Sequence, residues 1–270
     1  MGVDLSVRMK AYEQAGNSPL LQTLPVLCRI DGKCFHSWTR GLQGPYDGRL
    51  SDLMACTTRF LVLETGARVG YTQSDEISLL WQADEFGGET FMGGDRSKII
   101  SLTASMATAY FNSGVLERMP CRTQPAMFDS RAWNVPDRGE VANYFVWREA
   151  DAVRNSIQML GQAYFSHKQM RGMTCAQIQE SLWQEHGVNW NDVPDHLKRG
   201  AYFQRRRAER TFTYGEIAAL PPLHAARKDP SLVVSRSQVR RLDMPRMTSV
   251  MNRIGVLVLG EDPIIANEGA

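Results

Sequence analysis

Asp31 and Asp75, 44 positions apart, each close a short apolar stretch. In "VLCRIDGKCFH" the run Val26 to Ile30 ends at Asp31-Gly32, and in "GYTQSDEISLLW" Asp75 and Glu76 separate "VGYTQ" from an alternating run that begins at Ile77. Such runs predict buried strands, which places the acids at strand ends. A hairpin turn ordinarily takes Asn-Gly or Asp-Gly, so Asp-Glu is a poor choice on backbone grounds. Either these acids are solvated at a loop tip or something cationic sits against them. Two strand-terminal aspartates from neighbouring strands can converge on one point, and Mg²⁺ is commonly held by one or two carboxylates with substrate phosphates in its other positions. Gly32 permits close backbone approach. The residues after it, Lys33, Cys34, Phe35 and His36, offer successive amides and an ammonium that could cradle phosphate oxygens. Two metals sharing the aspartates would serve an in-line phosphoryl displacement. Spacing alone leaves this reading level with that of ordinary solvated acids.

The whole chain restricts the choice. With 270 residues, 43% hydrophobic and 22% charged, it has the length for a buried core and an ordinary globular composition. No apolar run approaches a membrane span and no signal peptide is read, so no membrane partner is expected. Gly2 and Ser6 match a short N-myristoylation pattern, although "VDLSVRMKAYEQ" reads better as an amphipathic helix. Five cysteines without a CxxC pair suggest a reduced, cytoplasmic protein and argue against zinc. The formal charge is only +2, but six Lys or Arg fall between Lys198 and Arg210, and four Arg between Ser235 and Met247. Lys198, Arg199, Arg205 and Arg206 are therefore candidate contacts to RNA or another polyanion, with a solvated basic surface as the plain alternative.

These residues need elements to position them. Leu50, Leu53, Met54, Thr57 and Leu61 recur at helical spacing before Gly66, and Ile99, Leu102, Met106 and Tyr110 mark a second long helix. "AMFDSRAWNVP" suggests a short strand, "RGEVANYFVWREADAVRN" opens a third helix, and Thr174 caps a fourth that ends before Gly187. The order predicts an α+β layer structure, an antiparallel or mixed sheet with helices packed on one face. Residues 1–215 are expected to form the domain. Residues 216–270, Pro- and Arg-rich before a strand-like "RIGVLVLG", are expected to be a tail packing back onto it.

"RIDGKCFHSWTRG", "GYTQSDEISLLW", "RSKIISLTASMATAYF", "FDSR" and "WREADAVRN", in that order, resemble the tRNA-His guanylyltransferase family and its Thg1-like branch across about three quarters of the chain. The resemblance implies a polymerase-palm-like fold and 3′–5′ addition of nucleotides, with ATP and GTP or other NTPs as substrates, to the 5′ end of tRNA. It implies two Mg²⁺ ions held by Asp31, the Gly32 carbonyl and Asp75, with Glu76 as a supporting catalytic acid. Lys33, Cys34, Phe35, His36, Asp47, Ser74, Arg96 and Lys98 match nucleotide- or phosphate-contacting positions, and a homotetramer is implied. Arg154 and Asn155 could contact RNA. Ala152 stands where eukaryotic members carry a histidine, which points toward repair of truncated 5′ ends and away from strict guanylylation of tRNA-His. "GGD" at Gly93 to Asp95 is shared with diguanylate cyclases but reads as a helix entry. Two further readings remain open: a palm domain serving as an RNA-binding module, and a cyclase-like enzyme acting on free NTPs.

Overall fold

The computed structural model describes residues 4–83 and 90–265; Gly2 of the acylation pattern lies outside them. Strands β1 (Val26–Gly32), β2 (Val69–Gln73), β3 (Glu76–Trp81), β4 (Phe128–Asn134), β5 (Ala201–Thr211) and β6 (Val233–Leu242) form one sheet in the order β4-β1-β3-β2-β5-β6. Every named pairing in it is antiparallel. The helices are α1 (Leu5–Gln14), α2 (Phe35–Trp38), α3 (Gly48–Thr65), α4 (Arg96–Arg118), α5 (Arg138–Tyr164), α6 (His167–Met170), α7 (Cys175–His186), α8 (Asp195–Arg199), α9 (Tyr214–Ala219) and α10 (Ala225–Lys228).

The α+β class and antiparallel sheet match the sequence expectation, but the helices take both faces. α3 and α4 cover the side carrying Val26, Cys28, Ile30, Leu79 and Trp81. α5 covers the other side, where Leu27, Tyr71 and Leu80 meet Val141, Tyr144 and Phe145. Alternate residues of the central strands thus enter two cores, which is why "EISLLW" is buried at every position. Each large apolar side chain so buried contributes about 1.5–3 kcal/mol. α4 is long and apolar enough to cross a membrane by length and composition, yet its stripe Ile99, Thr103, Ala107, Phe111 and Val115 is spent on the first core. Gly70 lets α3 approach β2, since a Cβ there would lie 2.6 Å from Val62 and 2.8 Å from Thr58. The far half of α5 and α7 share a third core around Ile157, Leu160, Ile178, Leu182 and Trp190.

The C-terminal residues depart most from expectation. The boundary at 215/216 falls inside α9, and Val233–Leu242 joins the sheet as its edge strand. "RIGVLVLG" is not a strand: Gly255–Leu259 coils as a π-helical turn that buries Val256, Leu257 and Val258 against the α5 side. An apolar run of this length fits a strand or a buried turn equally well, and here packing chose the turn. β2 pairs with β5 only from Ala201 to Gln204, while β5 and β6 stay paired out to Thr211 and Val233. The distal half of that hairpin therefore runs beyond the sheet as a two-stranded, arginine-rich ribbon.

Candidate functional site

The C-terminal end of β1 and the β2–β3 turn meet. Asp31 lies in register with Glu76 on one side and Asp129 on the other. The Gly32 N–H donates to the Asp75 carbonyl at 3.1 Å, tying the turn to the strand end. Ser74 occupies that turn at φ +50°, a conformation uncommon for a non-glycine residue, and its hydroxyl donates to the Asp75 carboxylate at 3.1 Å. Burial pushes the Asp75 carboxyl above its usual range; the nearby Asp31 charge adds to this and His36 opposes it. Among the described residues neither Asp31 nor Asp75 forms an ion pair.

Two converging carboxylates without a protein cation suit a hard divalent ion. Asp31, Asp75 and the Gly32 carbonyl could supply oxygen donors and leave positions for phosphate oxygens, as Mg²⁺ prefers. Among the described residues no three His, Cys, Asp or Glu side chains form a full cage, and Mg²⁺ does not demand one.

Glu76, expected beside the metal, has a different partner. Arg148 of α5 donates through Nε and Nη2 to its two carboxylate oxygens, each at 2.7 Å, with both side chains less than a tenth exposed. Arg148 also pairs with Asp151 at 2.9 Å and lies over the Trp147 ring at 4.4 Å. Burial raises the Glu76 carboxyl, and Arg148 pulls it back. The cation set against this acid is thus a protein arginine, and the fork holds α5 on the sheet.

Only parts of the expected phosphate loop are free to serve it. The Lys33 amide already donates to the Met127 carbonyl at 2.8 Å, while its side chain is exposed. Cys34 caps α2 in the left-handed region at φ +55°; the Ser37 amide already donates to the Cys34 carbonyl at 3.0 Å, which leaves the Phe35 and His36 amides without an intrahelical acceptor. Phe35 packs its ring against Trp38, Phe111 and Phe128, so only its backbone can face a ligand. His36 is exposed and within hydrogen-bond distance of the Ser37 hydroxyl.

Asp47 and Ser74, far apart in sequence, line one cleft of about 740 Å³, open to solvent. Asn155, Ala152, Tyr46 and His196 line it too. Asp47 is also the N-cap of α3: it accepts from the Arg49 and Leu50 amides and from the Arg49 guanidinium, which holds its carboxyl down at about 2. Any nucleotide contact there shares an already engaged carboxylate.

Other expected residues lie elsewhere. Arg96 and Lys98 are exposed on the first turn of α4, whose Asp95 cap is tied to Asn17. Phe111, fifteen residues along, reaches the Phe35 and Phe128 end of β1, so about 20 Å of helix separates the two cations from the acids. Periodicity placed them on a helix but could not show which end of the sheet that helix end faces. Lys198 is buried, donating to the Asn191 carbonyl at 2.7 Å above the Trp190 ring, and Arg199 pairs with Asp195 at 2.6 Å. Arg154 pairs with Asp151, whereas Arg205 donates to the Gly66 carbonyl and Arg206 is exposed on the ribbon. Arg148 and Asp129 lie within the motifs "WREADAVRN" and "FDSR", but no local pattern signals that one meets Glu76 from α5 and the other lies across β1 from Asp31, since both are tertiary facts.

A family profile described as tRNAHis guanylyltransferase matches residues 6–136. A bacterial tRNA(His) guanylyltransferase (Thg1)-like protein solved with ATP superposes with a TM-score of 0.72 at 41% identity, covering 74% of this chain and 88% of that one. Another solved with GTP gives a TM-score of 0.67 at 33% identity over 91% and 94% of the two chains. The tRNA(His) guanylyltransferase of Schizosaccharomyces pombe is 28% identical over 73% of this chain and 78% of its own length.

Proposed function

The chain belongs to the tRNAHis guanylyltransferase family, and from that premise we propose that it is a nucleotidyltransferase adding NTPs, templated and in the 3′–5′ direction, to the 5′ end of tRNA. The carrying observation is the Asp31–Asp75 pair, in which burial first and then the Asp31 charge raise the Asp75 carboxyl and neither acid forms an ion pair among the described residues, at the same β2–β3 turn whose Ser74 lines the cleft. The 5′ end of the RNA arrives as a triphosphate or is first adenylylated by ATP. The 3′-hydroxyl of the incoming NTP then attacks the activated 5′ phosphate and expels pyrophosphate or AMP.

Asp31, Asp75 and the Gly32 carbonyl would hold Mg²⁺, two ions per site, whose charge would offset that developing on the transferred phosphate. The protein residues position. Lys33 and the α2 amides face the triphosphate, His36 adds a donor beside Asp75, and Asp47 with Ser74 borders the nucleotide cleft. Glu76 supports the site through Arg148 and holds the strand that carries it. No side-chain nucleophile is required. Ala152 in the cleft wall, beside Asn155, supports repair of shortened 5′ ends over guanylylation restricted to tRNA-His. A homotetramer is the expected assembly, and five free cysteines support a reducing, cytoplasmic setting.

The test incubates purified protein, Mg²⁺, ATP and the four NTPs with 5′-labelled tRNA lacking its first nucleotide, alongside full-length tRNA-His. Template-matched extension of the shortened RNA is expected. Addition of G to tRNA-His alone would replace repair by guanylylation. RNA binding without addition would leave a binding module, and products formed from NTPs without RNA would point to a cyclase.

A further inference from the structure

One stretch of α5 joins the acids to the cleft. The Asp151 side chain, 17% exposed, accepts from three donors. Arg148 Nη2 at 2.9 Å and Asn155 Nδ2 at 3.4 Å share one oxygen, and Arg154 Nη2 takes the other. Arg148 also forks onto Glu76, which lies in register with Asp31. Asn155 lines the cleft that Asp47 and Ser74 share. Asp151 is therefore bonded both to the arginine behind the acids and to an amide in the cleft wall.

That bond decides which way the amide faces. A side-chain amide carries an acceptor oxygen on one arm and a donor nitrogen on the other, and a carboxylate paired with guanidinia only accepts. The Asn155 nitrogen must turn to Asp151, one helical turn away. Its oxygen is left for the cleft and has no donor among the described residues. Ala152, three residues earlier on the same helix face, offers only a methyl group and leaves the amide uncovered from that turn. The next residue is fixed as well: the Ser156 carbonyl accepts from the Tyr46 hydroxyl at 2.8 Å, and its hydroxyl accepts from the Trp190 indole at 3.1 Å. The cleft wall thus presents one acceptor in a set position.

An acceptor does not suit a phosphate oxygen, which is itself an acceptor; it suits a hydroxyl or an amine. In a nucleotide whose phosphates meet Asp31 and Asp75, the sugar is the donor-bearing part next to those phosphates. Only Asp151 and Arg148 stand between Asn155 and the Glu76 beside them. The 3′-hydroxyl is committed to attack, which leaves the 2′-hydroxyl. We propose that Asn155 accepts a hydrogen bond from the ribose 2′-hydroxyl of the bound nucleotide and so selects ribonucleotides, with Asp151 as the positioning residue that orients its amide. The assignment rests on the proposed function for where the phosphates and the 3′-hydroxyl sit.

Calorimetric titration of the purified protein with ATP, GTP and their 2′-deoxy counterparts, in Mg²⁺ and without RNA, reads the sugar preference directly. Wild type should bind each ribonucleotide about three- to tenfold more tightly than its 2′-deoxy partner, the worth of one hydrogen bond. Asn155→Ala should lower ribonucleotide affinity to the deoxy level and leave deoxy affinity near wild type, so that the ratio falls to about one. Asp151→Asn is nearly isosteric and can donate to the Asn155 oxygen, which frees the amide to turn. It should at least halve the ratio while circular dichroism shows the helices intact. A purely structural Asp151 would weaken ribonucleotide and deoxynucleotide alike and leave the ratio unchanged. Equal affinity of wild type for ATP and 2′-deoxy-ATP overturns the assignment, as does a ratio that survives either substitution. No nucleotide binding by wild type would remove the nucleotide reading of the cleft and this assignment together. Sugar discrimination without addition to tRNA supports Asn155 and counts against the proposed reaction alone.

Discussion

Replacing Arg148 by methionine isolates what Glu76 does. The native fork has two 2.7 Å charge-assisted bonds between side chains 5% and 8% exposed, and Arg148 also pairs with Asp151. Breaking a buried pair by removing one partner costs about 3–5 kcal/mol. Against a total stability of about 5–15 kcal/mol this is severe, so Arg148→Met should unfold at much lower urea. The penalty has a definite pH sign. Without the guanidinium, burial and then the Asp31 charge act on Glu76 against Arg29 only, and its folded pKa rises further above the unfolded value of 4.5. The folded variant then binds a proton the unfolded chain has released, so above pH 4.5 its stability falls as pH rises, by up to about 1.4 kcal/mol per unit until the folded pKa is passed. Urea unfolding followed by circular dichroism at pH 6, 7 and 8 should show the gap to wild type widening with pH. Arg148→Met/Glu76→Leu, which buries neither charge, should recover most of the loss. A single-variant loss below about 1 kcal/mol, or a gap that narrows as pH rises, would refute a structural fork at Glu76.

Asp31→Asn and Asp75→Asn should each abolish nucleotide addition while leaving Tm equal or higher, because like-charge repulsion at the strand ends is relieved; turnover within tenfold of wild type would remove these residues from the metal role. Chelation by EDTA should stop incorporation, with recovery on addition of Mg²⁺, and incorporation that continues in chelator would dismiss the ion. Asp47→Ala should destabilise by about 1–2 kcal/mol through loss of the α3 cap, measured by thermal unfolding. Since that carboxyl sits at about 2 in the fold against an ordinary 3.8, its contribution should be present above pH 4 and vanish as pH falls toward 2. Lys198→Ala should lower Tm and leave the salt slope of RNA binding unchanged, as expected of a buried ammonium; a slope reduced by about one would return it to the RNA surface.

The sequence by itself determined the chemistry-bearing ends of the central strands. The apolar run up to Ile30 and the alternation from Ile77 placed Asp31 and Asp75 at strand ends, because a short apolar run bounded by turn residues is a local signal of a buried strand. Helix boundaries at Gly66 and Thr174 were equally local, written in capping chemistry. β5 and β6 were missed because their charge disguises them: an arginine-rich edge ribbon has no buried face along its distal half and so lacks the periodicity that marks a strand. What only the tertiary structure decided was the partner of each charge. Glu76 and Asp75 are adjacent in sequence, yet one turns into the layer beneath α5 and meets Arg148, while the other stays at the turn beside Asp31. Lys198 and Arg206 belong to one basic stretch, yet one is sealed beneath Trp190 and the other lies open on the ribbon. Charge is a property of a residue, whereas its solvation and its counter-charge depend on what distant segments bring to it, and those contacts exist only once the sheet has assembled.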